Sequence, residues 1–197
     1  MTDSCAAQLG TLLAAFTGEH VGEPRLLVCL YDDPLLHVDL KFVATDAIGR
    51  SVDRPVVVWS RDASFATALA ASCVGYPPPD AAWIEARFWI WIHYGVSKVR
   101  RGELFEALAM VAFLRSAVLG PLALQRAGAT PSGVRRLERE APDWAQRLKP
   151  SASGHDANGC LAALRVCVDS YRALRASPLA PNPAEIAALR FLDDTRT

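Results

Sequence analysis

Apolar and polar residues alternate along 35–43, LLHVDLKFV. Val38, Leu40 and Phe42 fall on one face of a pleated strand, and His37, Asp39, Lys41 and Val43 fall on the other. The run Arg25-Leu26-Leu27-Val28-Cys29-Leu30-Tyr31 precedes it, separated by Asp32-Asp33-Pro34. Asp favours turns by bonding to its own backbone, and Pro does so by fixing φ. The two runs therefore predict a β-hairpin that carries a carboxylate, Asp39, mid-strand. Upstream, Leu9, Leu12, Leu13 and Phe16 recur at helical spacing and predict a short amphipathic helix over 6–16. Gly10 weakens that helix by up to ~1 kcal/mol. Two glycines and a proline punctuate 17–24 and end it. Residues 46–55 are polar and turn-rich, and Val56-Val57-Val58-Trp59 predicts a third, buried strand.

The pattern changes at 72–80, SCVGYPPPD, where three successive prolines cannot continue a helix and hold the chain extended. This boundary divides an α/β part, 1–75, from a helical part, 80–197. Asp80 can cap a helix over 81–99 whose Trp83, Ile84, Phe88, Trp89, Trp91, Ile92 and Val96 leave it apolar on most of its surface, so it should be central to a bundle. Arg101-Gly102 is a break, and 103–127 predicts a second long helix kinked near Gly120 by Pro121. A short helix is expected around 134–139. Another runs to about 176, capped by Asn158 or Ser153 and striped with Leu161, Leu164, Val168 and Tyr171. Pro183 suits the first turn of a last helix through 192. The fold class expected is α+β: a small sheet with a short helix, followed by an all-α bundle.

Composition narrows the function classes. Half of the 197 residues are apolar (51%), enough for a substantial core, but no uninterrupted apolar run approaches the ~20 residues of a membrane span. Together with the lack of a basic leader and cleavage site, this predicts a cytoplasmic protein with no membrane partner. Lys plus Arg equals Asp plus Glu at 21 each, so no global field favours nucleic acid. Cys5, Cys29, Cys73, Cys160 and Cys167 sit singly in apolar settings and read as small buried hydrophobes of a reducing compartment.

Two constellations carry candidate chemistry. His37 and Asp39, two apart, project from one face of one strand, with Asp32, Asp33, Asp46 and Asp53 nearby in sequence. The pair reads either as metal ligands or as polar residues facing water, and a hard ion such as Mg²⁺ prefers carboxylates and water to imidazole. His93, Tyr94, Lys98, Arg100 and Arg101 cluster at the end of the tryptophan-rich helix. Tyr94 and Lys98, four apart, share one face and read either as a phosphate and base contact or as a lysine stem lying along a ring. Arg135-Arg136 reads as a solvated face, the tryptophans as core, and His155-Asp156 as a turn before a helix. No Gly-rich phosphate loop, nucleophile elbow or HExxH occurs.

The segments PRLLVCLYDDPLLHVDLKFV, DRPVVVWSRD and WIEARFWIWIHYGVSKVRRGELFEALAMVAFLRSAVLGP together resemble bacterial nucleotidyltransferase-domain proteins, similar to the aminoglycoside nucleotidyltransferases of the DNA polymerase β-like superfamily. The resemblance implies a small mixed sheet bearing a metal site and a helical bundle that closes over the nucleotide. It implies transfer of a nucleoside monophosphate from an NTP to a hydroxyl acceptor with Mg²⁺. Of the family's three metal-binding carboxylates, Asp39 matches the third, which often also serves as base; Lys98 matches a phosphate contact, with Tyr94 beside it. The other two carboxylates belong to a Gly-Ser and D-x-D segment, and neither motif occurs before Asp39. One carboxylate is too little charge to seat two Mg²⁺ ions, so transfer is expected to be impaired, as in a truncated or degenerate copy. A lost hairpin would bare a sheet edge and invite a homodimer. The alternative is a non-catalytic nucleotide-binding or protein-interaction module.

Overall fold

The computed structural model describes residues 6–44, 48, 55–72, 75–175 and 182–194. The chain divides into two compact units, Met1–Gly75 and Tyr76–Thr197, each with its own core. Together they make an α+β protein.

The first unit holds a three-stranded sheet in the order β1 (Leu12–Gly18), β2 (Glu23–Tyr31), β3 (Leu36–Lys41). Both pairings are antiparallel, where the family resemblance implied a mixed sheet. The hairpin β2–β3 forms as its pattern predicts: Cys29 pairs with Val38, Val28 with Asp39 and Leu30 with His37. Leu27, Cys29 and Tyr31 are buried on one face with Val38, Leu40 and Leu12 packed against them. Tyr31 anchors the start of the described chain by donating its hydroxyl to the Ala6 carbonyl (2.8 Å).

The helix expected over 6–16 does not form. After one turn at Ala6–Leu9 (3.1 Å) the chain extends into β1, pairing Ala14 with Leu30 and Phe16 with Val28. An isolated helix this short is marginal, and the exposed backbone of β2 offers a complete ladder instead. The strand expected at Val56–Trp59 is also absent. Val56, Val58 and Trp59 are 86%, 94% and 78% exposed, because the run has no neighbouring strand to pair with among the described residues. A short helix unforeseen in the sequence, α1 (Ser64–Ala70), follows; Asp62 accepts from the Ser64 amide at 2.8 Å just before it.

The second unit is helical. α2 (Ala81–Arg100) starts where Asp80 accepts from the Trp83 amide at 2.9 Å, as its capping chemistry predicts. Phe88, Trp89, Ile92 and Val96 are buried, but Trp83 is 43% exposed and so is not core, contrary to expectation. α3 (Leu104–Phe113), a π-helical stretch (Leu114–Leu119) and α4 (Gly120–Arg126) form one continuous helix. Pro121 has no N–H to give, and the stretch just before it winds as a wider π turn, with the Gly120 N–H on the Arg115 carbonyl. Gly120 is also a point of close approach: a Cβ there would lie 2.3 Å from the Gly133 carbonyl.

Two short helices, α5 (Leu137–Glu140) and α6 (Pro142–Leu148), precede α7 (Ala157–Leu174) and α8 (Pro183–Asp193). Of these, α6 was not anticipated. α7 is capped by Asp156, which accepts from Gly159 N at 2.7 Å, and not by Asn158 or Ser153. The Leu104–Arg126 run, whose most apolar 18-residue window has a mean hydropathy of 1.9, is long and apolar enough to cross a membrane. Counting uninterrupted apolar residues stops at Arg115 and misses this. Half of its most apolar window is buried within the unit, and Arg115 donates to the Ser151 carbonyl at 2.6 Å.

Candidate functional site

Alternation along β3 puts His37, Asp39 and Lys41 on the open face of the sheet, opposite the buried residues. Asp39 stands across the ladder from the half-buried Val28, with Phe16 one strand further on. His37 Nε2 meets Asp39 Oδ1 at 2.9 Å, both side chains being more than half exposed, and Lys41 Nζ pairs with Glu23 at 3.0 Å. Asp32 and Asp33 sit in the hairpin turn, where Asp32 accepts from the Asp33 amide at 3.0 Å. Asp46 and Asp53 lie outside the described residues. Among the described residues, no group of three or more His, Cys, Asp or Glu side chains is arranged to hold a metal.

In the helical unit, Tyr94 and Lys98 come together as their spacing requires. The Lys98 ammonium lies 5.0 Å from the Tyr94 ring centre and donates to Glu103 at 2.6 Å, with Glu106 at 3.8 Å. Tyr94 in turn donates its hydroxyl to Glu106 at 2.7 Å. The hydrogen bond to Glu103 holds the Lys98 ammonium above its usual pKa, and the same bond holds Glu103 below the usual carboxylate range. The remaining basic residues of this helix end disperse. Arg101 also pairs with Glu103 (2.8 Å), Arg100 caps the carbonyls of Phe191 and Asp194, and His93 stacks on Phe191. Arg135 and Arg136 are exposed. Lys98 is thus charged and already neutralised; a phosphate would have to displace Glu103 to reach it.

A second polar cluster escaped sequence reasoning. Glu85, the only acid on α2, accepts from Trp89 Nε1 (3.0 Å), Asn182 Nδ2 (3.1 Å) and the Tyr171 hydroxyl (2.5 Å). Beside it the fully buried Glu185 takes Arg172 at 2.7 Å and Arg175 at 3.0 Å. Burial first, and the bond to Glu85 second, raise the Tyr171 phenol well above its ordinary pKa. The single acid on an otherwise apolar helix was the available signal, since a carboxylate there must find buried donors.

The described cysteines, Cys29, Cys160 and Cys167, are unpaired thiols and buried, as their apolar settings predict; Cys5 and Cys73 lie outside the described residues. Burial pushes the Cys167 thiol up to about 12, with Arg115 opposing the shift. The sequence matches no protein-family model and no curated protein.

Proposed function

We propose that this chain is a nucleotidyltransferase-type protein in which Asp39 stands where the family has its third carboxylate and meets the acceptor hydroxyl, Lys98 and Tyr94 meet the nucleotide, and transfer is weak. What supports this reading is the run His37-Val38-Asp39-Leu40, which lies on a strand with the Asp39 carboxylate on the open face of the sheet. That is where an acceptor hydroxyl can hydrogen-bond to it.

The donor set does not fit paired Mg²⁺. That ion demands near-octahedral oxygen ligands, and one carboxylate with an imidazole beside it does not supply them. Lys98 is an ammonium whose contacts with Glu103 and Glu106 can be exchanged for phosphate oxygens, and the Tyr94 ring beside it offers a face to a base.

Labelled ATP with Mg²⁺, aminoglycosides and cell extract tests the reading. Saturable ATP binding, with slow transfer that disappears in Asp39→Ala, supports it. No ATP binding, or transfer indifferent to Asp39→Ala, rejects it. One observation favours a non-catalytic interaction module: β1 presents Leu13 and Phe16, both over half exposed, on a strand that has one neighbour among the described residues. Such a chain would self-associate through that edge, and light scattering across a concentration series reads it out.

A further inference from the structure

A cavity of about 430 Å³ opens in the helical unit between the start of α2 and the ends of α4 and α7. Its apolar walls are Ile84, Leu122 and Leu174, all buried side chains of the bundle core. The size falls within the usual range for small-molecule sites, and such sites combine apolar walls with few convergent polar groups.

Charge decides what such a ligand must be. Glu85, on the cavity wall, already accepts from a tryptophan, a tyrosine and an asparagine, so it has little left for a cationic guest. Arg175 faces both Glu85 (3.8 Å) and Glu185 (3.0 Å). Arg126 differs. It is exposed at the rim and donates Nη1 to the Ala173 carbonyl at 3.0 Å, and among the described residues no carboxylate pairs with it. Among the described residues, Arg172 and Arg175 share Glu85 and Glu185, whereas Arg126 has no carboxylate partner.

We propose that this cavity binds a small amphiphilic monoanion, with its aromatic or branched body on Ile84, Leu122 and Leu174 and its carboxylate on Arg126. A triphosphate does not suit the cavity, since a single uncompensated guanidinium cannot balance several negative charges. The site shares no residue with Asp39, Tyr94 or Lys98, so it stands or falls independently of the nucleotide reading.

The test uses the full chain and two probes with the same body and opposite charge, 4-phenylbutyrate and 4-phenylbutylammonium, followed by calorimetry. The carboxylate should bind saturably and about tenfold more tightly than the ammonium, as a charge-assisted hydrogen bond requires. Arg126→Gln should weaken the carboxylate about tenfold. Gln125→Trp, a substitution at an exposed rim position, should abolish binding by filling the cavity, with helical circular dichroism unchanged in both variants. Equal affinity for the two probes, no saturable binding of the carboxylate, an unchanged affinity in Arg126→Gln, or binding that persists in Gln125→Trp overturns the proposal.

Discussion

Glu185 and Arg175 form an ion pair, Oε2 to Nη1 at 3.0 Å, in which the carboxylate is wholly buried and the guanidinium side chain is 11% exposed. The same carboxylate holds Arg172, and its backbone amide is capped by Asn182 at 2.8 Å. Through it, the start of α8 is tied to the end of α7. Removing one partner of a buried pair leaves the other charge uncompensated in a medium that solvates it poorly. Glu185→Gln should therefore destabilise the helical unit by about 3 kcal/mol, read as a lower urea midpoint at unchanged slope.

Alkali should unfold the protein through two groups with raised pKa values. Cys167 ionises near 9.0 when unfolded and at about 12 when folded; Tyr171 starts at 10.0 and is likewise raised. In each case the folded state keeps a proton that the unfolded state has given up. The stability this confers is complete below pH 9 and is lost as pH climbs through the folded values. The denaturation midpoint should stay level to about pH 9 and then fall. Tyr171→Phe should cost about 1 kcal/mol at neutral pH, because Glu85 loses one donor, and should flatten the decline above pH 10.

Gly120 permits a backbone approach that no side chain can share. With a Cβ placed 2.3 Å from the Gly133 carbonyl, Gly120→Ala must push the 129–136 segment off the helix. A loss of about 2 kcal/mol is expected. Gly95→Ala should cost less, since the nearest atom there is the terminal methyl of Leu164, which can turn aside. Thermal unfolding of the two variants side by side checks the order.

At the candidate site, the exposed His37–Asp39 pair contributes little to the fold, so Asp39→Asn should change stability by less than about 0.5 kcal/mol. Glu103→Gln should act on the nucleotide instead. It releases Lys98 from its closest carboxylate, and if Lys98 meets phosphate, ATP affinity should rise several-fold, most visibly at low salt. An unchanged affinity would remove Lys98 from the nucleotide site.

Where period and punctuation agreed, the sequence was readable. The hairpin followed from strict alternation around Asp32-Asp33-Pro34, and α2 followed from Asp80 and its apolar run. Residues 6–16 misled because a stripe of Leu and Phe at helical spacing also suits a strand whenever a neighbour offers its backbone. Val56–Trp59 misled in the opposite sense, since an apolar run without a ladder is not a strand. The site was legible only in part. Spacing brought Tyr94 to Lys98 and His37 to Asp39, but the glutamates that occupy Lys98 come from the start of the next helix, Glu103 just before it and Glu106 in its first turn, and Glu85 meets Asn182 across 97 residues.

The π turn at Leu114–Leu119 sets the phase of everything after it on that helix. An α-helix turns roughly 100° per residue, so deleting a single residue from this stretch would restore regular winding but rotate Gly120 away from the Gly133 carbonyl. Leu122 would leave the core with it, and Arg126 would face another direction. Length at this point is therefore as constrained as residue identity. Substitutions within the stretch should be tolerated far better than the loss or gain of one position.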